Sequence, residues 1–311
     1  MNAPAPILAA PLVRWVGSKR ALIPTLEPCL PATFGTYFEP FFGGGALYWH
    51  LANEGRITNA VLADATRPVV EALRGVRGNP GAVTCLLGGW AGWVDRAAAN
   101  PAQAMEVMEA LRDILGAAGS PLYSPSVIAA ALLAHQAIGF NGLWRVNSDG
   151  RPNVALGADS DGNPLTITVD AALIQACSRA LQPATIRHHV AFMGDLFRQP
   201  WTLPLPVEGD LAYLDPPYCP MGPTADFTDY TADGFGPANH HQFAAWALEA
   251  RRRGAHVVIS NSDTPLTRRI FGLDGDAPVW NVVETTRSGS VSCKGDGRGR
   301  VGELVLWGGA L

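Results

Sequence analysis

Thr36-Tyr37-Phe38-Glu39-Pro40-Phe41-Phe42-Gly43-Gly44-Gly45, continuing into Ala46 to Asn53 and stopping at Gly55, reads as a strand, a glycine turn and a helix. A second β-prone run, Ala60 to Ala63, ends at Asp64, and Pro68 stands where a helix can begin, running to about Arg74. Strand and helix alternating in this way imply a parallel sheet. The rhythm resumes late in the chain. Asp210 to Asp215 reads as a strand, His240 to Arg253 as a helix closed by Gly254, and His256 to Ser260 as another strand. Val279 to Thr285 and Glu303 to Trp307 read as two final strands, joined by the glycine-rich, basic segment Arg287 to Arg300.

Between these halves the texture changes. Ala-rich helical stretches around Ala102 to Leu115 and Ser126 to Ile138 lead into a polar loop from Phe140 to Pro164. The expected organisation is therefore a flexible tail over 1–12, an α/β domain over 13–74 and 192–311, and an inserted subdomain over 75–191. With 311 residues, 48% of them hydrophobic, the chain can bury a large core.

The longest apolar stretch, Val127 to Ile138, is broken by His135 and Gln136 and is too short to span a bilayer. The opening MNAPAPILAAPL has no basic region typical of a secretion signal. Cys29, Cys85, Cys177, Cys219 and Cys293 are scattered with no CxxC pair, which argues against a disulfide framework and a zinc site and fits a reducing cytoplasm. A formal net charge of −4 supplies no overall basic field, so a polyanionic partner would have to be met by local patches. His188-His189 and His240-His241 lack metal-ligand partners at useful spacing, and no metal is assigned. A monomer is assumed.

Two features point to a cofactor. The glycine loop lets a ligand approach backbone N–H groups and the following helix N-terminus, although a plain tight turn has the same composition. Asp64 lies about twenty residues further on, at the end of the next strand, where a carboxylate can accept ribose hydroxyls; its alternative is an acid at a helix start. No Lys-Ser/Thr follows the glycines, which excludes a P-loop.

Leu214-Asp215-Pro216-Pro217-Tyr218 is the most specific stretch. Two prolines restrict the backbone so that the Asp215 carboxylate and the Pro216 carbonyl can face one point. Two acceptors and an aromatic face at Tyr218 suit a planar exocyclic amine on a nucleobase, and chemistry there is a matter of positioning and charge stabilisation.

Trp15-Val16-Gly17-Ser18-Lys19, Phe38 to Gly45, Phe140-Asn141-Gly142-Leu143-Trp144-Arg145 and Asp215-Pro216-Pro217-Tyr218, in this order, resemble the Dam-type (D12 class) DNA adenine-N6 methyltransferases. The likeness extends through Asn153-Val154, Asp226-Phe227-Thr228-Asp229-Tyr230, Ile259 to Asp263 and Glu303-Leu304; only about Gly75 to Ser124 matches poorly. It implies a Rossmann-like mixed sheet with a helical target-recognition insert, S-adenosyl-L-methionine as cofactor and duplex DNA as partner. It further implies that Trp15, Lys19, Glu39, Pro40, Phe41, Gly43, Gly45, Asp64 and Asp215 surround the cofactor. Asp195 in Gly194-Asp195-Leu196-Phe197 would contact its adenine, an ordinary surface acid being the alternative.

The resemblance makes Asp215, Pro216, Pro217 and Tyr218 the catalytic set acting on an adenine flipped from the duplex. Phe140 or Asn141 would fill the vacated gap, with Leu143 beside them, while Arg145 reads a guanine edge and Arg14 contacts base or phosphate. A core Phe and solvated arginines are the bland alternatives. Arg251-Arg252-Arg253 is expected as a solvated helix cap, and Lys294, Arg298 and Arg300 as phosphate contacts. Beyond Val154 the chain departs from the family with Ala155-Leu156-Gly157-Ala158-Asp159, so the family's GATC word is not carried over. The amine pocket alone also admits RNA as acceptor, and a silent DNA-binding relative is a further alternative. An amide-methylating enzyme would more naturally carry Asn in place of Asp215.

Overall fold

The computed structural model describes residues 7–97, 101–160, 162, 165–188, 203–219, 235–275, 278–288 and 300–311. Asp195 with its GDLF context, the run Asp226 to Tyr230, Lys294, Arg298 and the side chain of Arg300 lie outside the described residues.

The described strands form one seven-stranded mixed sheet in the order β3-β2-β1-β4-β5-β7-β6. They are β1 (Tyr37–Glu39), β2 (Ala60–Asp64), β3 (Ala184–His188), β4 (Leu211–Leu214), β5 (His256–Ser262), β6 (Asn281–Ser288) and β7 (Arg300–Gly308). The first five in spatial order are parallel, and β7 runs antiparallel between β5 and β6. From β1 the chain winds outward through β2 and β3, then returns to β1's other side at β4. The carboxyl ends of β1 and β4 therefore flank a topological switch point, the usual place for a ligand in such sheets.

Both sheet faces are covered, and strand alternation sorts the residues between them. Tyr37, Leu211, Tyr213, Val258 and Val305 enter one core, while Phe38, Ala212, Leu214, Val257, Ile259, Leu304 and Leu306 enter the other. The first core is closed by α2 (Ala46–Asn53), α3 (Arg67–Gly78), α4 (Pro80–Ala97), α5 (Pro101–Gly116), α6 (Pro125–Ile138) and α7 (Ala171–Ala180). The second is closed by α8 (Pro237–Arg252), together with Phe271, which follows α9 (Pro265–Ile270), and Trp280. A short α1 (Ile23–Leu26) precedes β1.

The helices α4 to α6 share the first core with the sheet, and β3 pairs in parallel with β2. Thus the stretch 75–191, read from the sequence as one insert, contributes a strand to the central sheet as well as helices. Residues 7–12, part of the expected loose tail, are tethered: Ala9 is buried, its N–H donates to Asn53 Oδ1 at 3.0 Å, and Asn53 Nδ2 donates back to Ala9 O at 2.8 Å. A single amide side chain closing on one residue's backbone satisfies both of its polar groups, which is why this proline-rich segment takes one path.

The arginine cluster also differs from expectation. Arg251 is buried, donates through Nε to Gly309 O at 2.8 Å and to Val279 O, and lies over Trp280. It joins the chain's end to α8, whereas Arg252 and Arg253 are exposed and pair with Glu249. None of the described helices is long and apolar enough to cross a membrane.

His135 is fully buried on α6, edge-on to Trp144, with neither ring nitrogen hydrogen-bonded, and burial together with the Arg112 charge pushes it down to about 4. Its folded pKa lies below the ordinary value, so the stability it preserves at neutral pH is lost as pH falls from about 6.5 towards about 4. His135→Leu should flatten that part of the unfolding profile by one proton, about 1.4 kcal/mol per pH unit, and should raise the midpoint in urea melts at pH 5. An unchanged slope between pH 4 and 6.5 would show that His135 is solvated or paired.

Candidate active site

Glu39 ends β1, Asp64 ends β2 and Asp215 follows β4, so three carboxylates stand at the carboxyl ends of three adjacent parallel strands. The buried Glu39 is held well above the ordinary carboxylate range, first by burial and further by the charges of Asp215 and Asp64; the Tyr37 hydroxyl, donating at 3.0 Å, works the other way. Burial also raises Asp64, opposed by backbone N–H groups.

Those N–H groups define what Asp64 does in the protein itself. Its Oδ2 accepts from Gly43 N at 2.8 Å and its Oδ1 from Thr66 N at 2.7 Å. One carboxylate thereby fixes both the glycine loop and the approach to α3. The Thr66 side chain also bonds this carboxylate, whose two oxygens offer about four acceptor sites in all.

The loop needs its glycines for space as well as torsion. Gly45 has φ +65°, and a Cβ there would sit 2.1 Å from the Phe42 ring. At Gly43, φ is +48° and a Cβ would meet Trp15 Cδ1 at 2.6 Å. Trp15 therefore covers the loop directly. Phe41 packs edge-on against Phe235 and Phe243 of the second core, which anchors the turn from below.

Lys19 and the Asp215 loop meet across the switch point. Lys19 Nζ lies 2.8 Å from Asp215 Oδ2, donates to Gly17 O at 2.6 Å, and sits 4.6 Å above the Tyr218 ring. Asp215 Oδ1 accepts from Ser260 Oγ at 2.7 Å. A serine has one proton to give, so the 3.0 Å contact between Ser260 and Tyr213 must have the tyrosine donating. The carboxylate is thus oriented by a chain, Tyr213 to Ser260 to Asp215, rising from the first core.

The Tyr218 hydroxyl donates to the buried Glu303 on β7. Burial, then the charges of Asp215 and Glu303, pushes the phenol far up, so it remains a neutral donor. Asn261 Oδ1 accepts from Cys219 N at 3.2 Å, and Ser262 Oγ donates to Cys219 O at 2.8 Å. These contacts tie the end of the two-proline turn to β5. Ser260, Asn261, Ser262 and Glu303 entered the sequence comparison only as parts of matching segments. The polar run Ser260 to Ser262 at the carboxyl end of one expected strand and the acid Glu303 at the start of another carried the signal.

The other candidate residues gather elsewhere on the surface. Phe140 is 54% exposed, which sets aside the core alternative. It begins the turn Phe140–Gly142, in which Asn141 has φ +55°. Asn141, Arg14 and Arg145 are exposed and Leu143 half-buried. Arg145 Nε donates to Asn153 Oδ1 at 2.8 Å, and Phe140 N donates to Ala155 O at 2.8 Å, so the segment that departs from the family braces the turn.

Among the described residues, Glu27, His50 and Glu54 have the spacing of metal ligands. The Arg56 guanidinium bonds both carboxylates of that group, supplying the positive charge a cation would bring.

The mixed sheet brings three acids, a glycine loop and an Asp-Pro-Pro-Tyr turn together at its switch point. The sequence model of the D12 class N6 adenine-specific DNA methyltransferases matches residues 15–284, and the chain belongs to that family. It is 28% identical to the Type II methyltransferase M1.LlaDCHI of Lactococcus lactis subsp. cremoris, over 95% of this chain and 94% of the relative. It is 27% identical to a DNA adenine methylase of Vibrio cholerae serotype O1, over 94% of each chain. It is 24% identical to the Type II methyltransferase M.MjaIII of Methanocaldococcus jannaschii, over 93% of this chain and 94% of the relative.

A raised carboxyl pKa means that the fold prefers Glu39 protonated, so its contribution is intact below the ordinary carboxylate value and lost as pH rises through the folded value. Glu39→Gln should therefore melt higher than the parent at pH 8, with the difference vanishing towards pH 4. A lower melting point at pH 8 would mean that the ionised carboxylate is stabilised by a partner.

Proposed function

We propose that the protein transfers a methyl group from S-adenosyl-L-methionine to the N6 amine of an adenine flipped out of duplex DNA at a specific site. The observation that carries this is that Lys19 and Ser260 both bond the Asp215 carboxylate at the switch point while Lys19 also lies over the Tyr218 ring, in a chain of this family. As a member of an adenine-specific methyltransferase family, the protein requires a methyl donor and DNA as acceptor.

The residues present fit a cationic nucleoside cofactor. The buried Glu39 faces the charges of Asp215 and Asp64, and a ligand bearing positive charge relieves that repulsion. Glu39 and Asp215 would face its charged end, Asp64 its ribose hydroxyls, and Trp15, Pro40, Phe41, Gly43 and Gly45 would form its walls. Asp195 is assigned to the adenine end by resemblance alone. When bound, S-adenosyl-L-methionine supplies the electrophilic methyl.

The rest is the work of the chain. Tyr218, held by Glu303, offers its face to the base. Asp215 Oδ2 and the Pro216 carbonyl accept the two amine protons, with Pro217 holding the turn rigid, so the lone pair is freed from the ring and aimed. Lys19 pairs with Oδ2. Oδ2 has a second acceptor direction, so the amine can bond it beside Lys19. Asp215 then stabilises the positive charge that grows on nitrogen during transfer. Its subsequent proton loss needs no metal and no covalent enzyme intermediate.

Target recognition falls to the exposed turn of the middle segment 75–191. Phe140 or Asn141 fills the gap left by the flipped base, Leu143 lies beside them, and Arg14 and Arg145 contact base edges or phosphate.

Asp215→Ala should abolish methyl transfer to duplex DNA while the thermal midpoint persists; turnover near the parental rate would remove Asp215 from the amine pocket. Arg145→Ala should weaken discrimination at one base pair by about 1–3 kcal/mol, read by rates on a set of single-substituted duplexes. An unaltered profile would take Arg145 out of the recognition set.

A further inference from the structure

The Gln136 side chain is 2% exposed and does something neither the motifs nor the pocket require. Its Oε1 accepts from Arg14 N at 2.9 Å, and its Nε2 donates to Arg14 O at 2.8 Å. The two bonds close one amide on one backbone residue, 122 positions away in sequence. A buried amide satisfied in this way admits one geometry, because any shift leaves a donor and an acceptor stranded.

What it joins is informative. Gln136 lies in the last turn of α6, four residues before Phe140. Arg14 precedes Trp15, which covers Gly43, and lies five residues before Lys19, which pairs with Asp215 at 2.8 Å. The turn side is equally constrained. A Cβ on Gly142, at φ +64°, would lie 2.5 Å from Arg14 Cδ and 3.0 Å from Gln136 O. The exposed residues Arg14, Phe140 and Asn141 are thus set in one register by a buried amide and a glycine.

We propose that Gln136 is a positioning residue that couples the recognition turn to the amine pocket: docking of the turn on the correct base pairs sets, through the Arg14 backbone, the segment that carries Lys19. The proposal rests on the DNA-methylating function proposed above and deepens it. The physical element is segment 14–19, clamped at one end by Gln136 and at the other by the Lys19–Asp215 pair.

The test uses the full-length protein with S-adenosyl-L-methionine and short duplexes bearing the motif that the parent methylates, alongside duplexes with one base pair of it changed. Gln136→Glu keeps shape and acceptor but loses the donor to Arg14 O; Gln136→Ala loses both. Each should lower kcat/KM on the cognate duplex, and the ratio of cognate to altered duplex should fall on the order of tenfold, mainly through kcat. Cofactor affinity should be retained. Gly142→Ala, which presses on Arg14 from the turn side, should reproduce the loss of discrimination and carries the test if Gln136→Ala does not fold. Equal slowing on cognate and altered duplexes, or undiminished discrimination in Gln136→Glu, would reduce Gln136 to a scaffold role and overturn the proposal. No methylation of any DNA by the parent would instead defeat the functional reading, and this proposal with it.

Discussion

The site depends on keeping a buried Glu39 at the end of β1 between Asp64 and Asp215 on the neighbouring strands, whose charges add to the cost of ionising it. The fold manages this with fixed donors. Backbone N–H groups of Gly43 and Thr66 hold Asp64, the Tyr37 hydroxyl holds Glu39, and Ser260 with Lys19 holds Asp215. Of these, Lys19 is the only full positive charge, and it sits on a segment outside the sheet. The arrangement therefore surrounds the acids with fixed donors and a lysine counter-charge.

That segment is itself secured in an economical way. Asn53 closes on Ala9 and the buried Gln136 closes on Arg14, two amides that each satisfy one residue's backbone. Neither α2 nor α6 needs to change for the segment to be built, yet both fix where Lys19 can reach. One short segment thereby runs from the Gln136 clamp at Arg14 to the Lys19–Asp215 pair.

Much of this was legible in sequence because local chemistry and position agreed. The strand, glycine loop and helix from Thr36 to Asn53 appear with the helix at its expected bounds, since Gly43 and Gly45 have no alternative to the loop and Gly55 follows the helix directly. Asp215 and Tyr218 were visible because two prolines after an apolar strand leave few conformations. Other parts were hidden. Helix α4 carries Pro80, Gly81, Gly88, Gly89 and Gly92, which read as breakers; burial of Val83, Leu87 and Val94 against its neighbours overrides that local preference. Strand β3 is a sheet edge with exposed Thr185 and Arg187 and only Ala184 and Ile186 buried, so its hydrophobic signal is short. Ser260 and Glu303 reach the pocket only because β5 lies next to β4 and β7 next to β5, a pairing no local pattern announces.

The most direct measurement is to express the protein in a host that lacks adenine methylation and sequence the genomic DNA by a method that reads N6-methyladenine. A recognition turn coupled to an amine pocket predicts one fully methylated sequence motif with a single modified adenine. Genomic DNA free of N6-methyladenine, from cells holding folded protein that binds S-adenosyl-L-methionine, would contradict it.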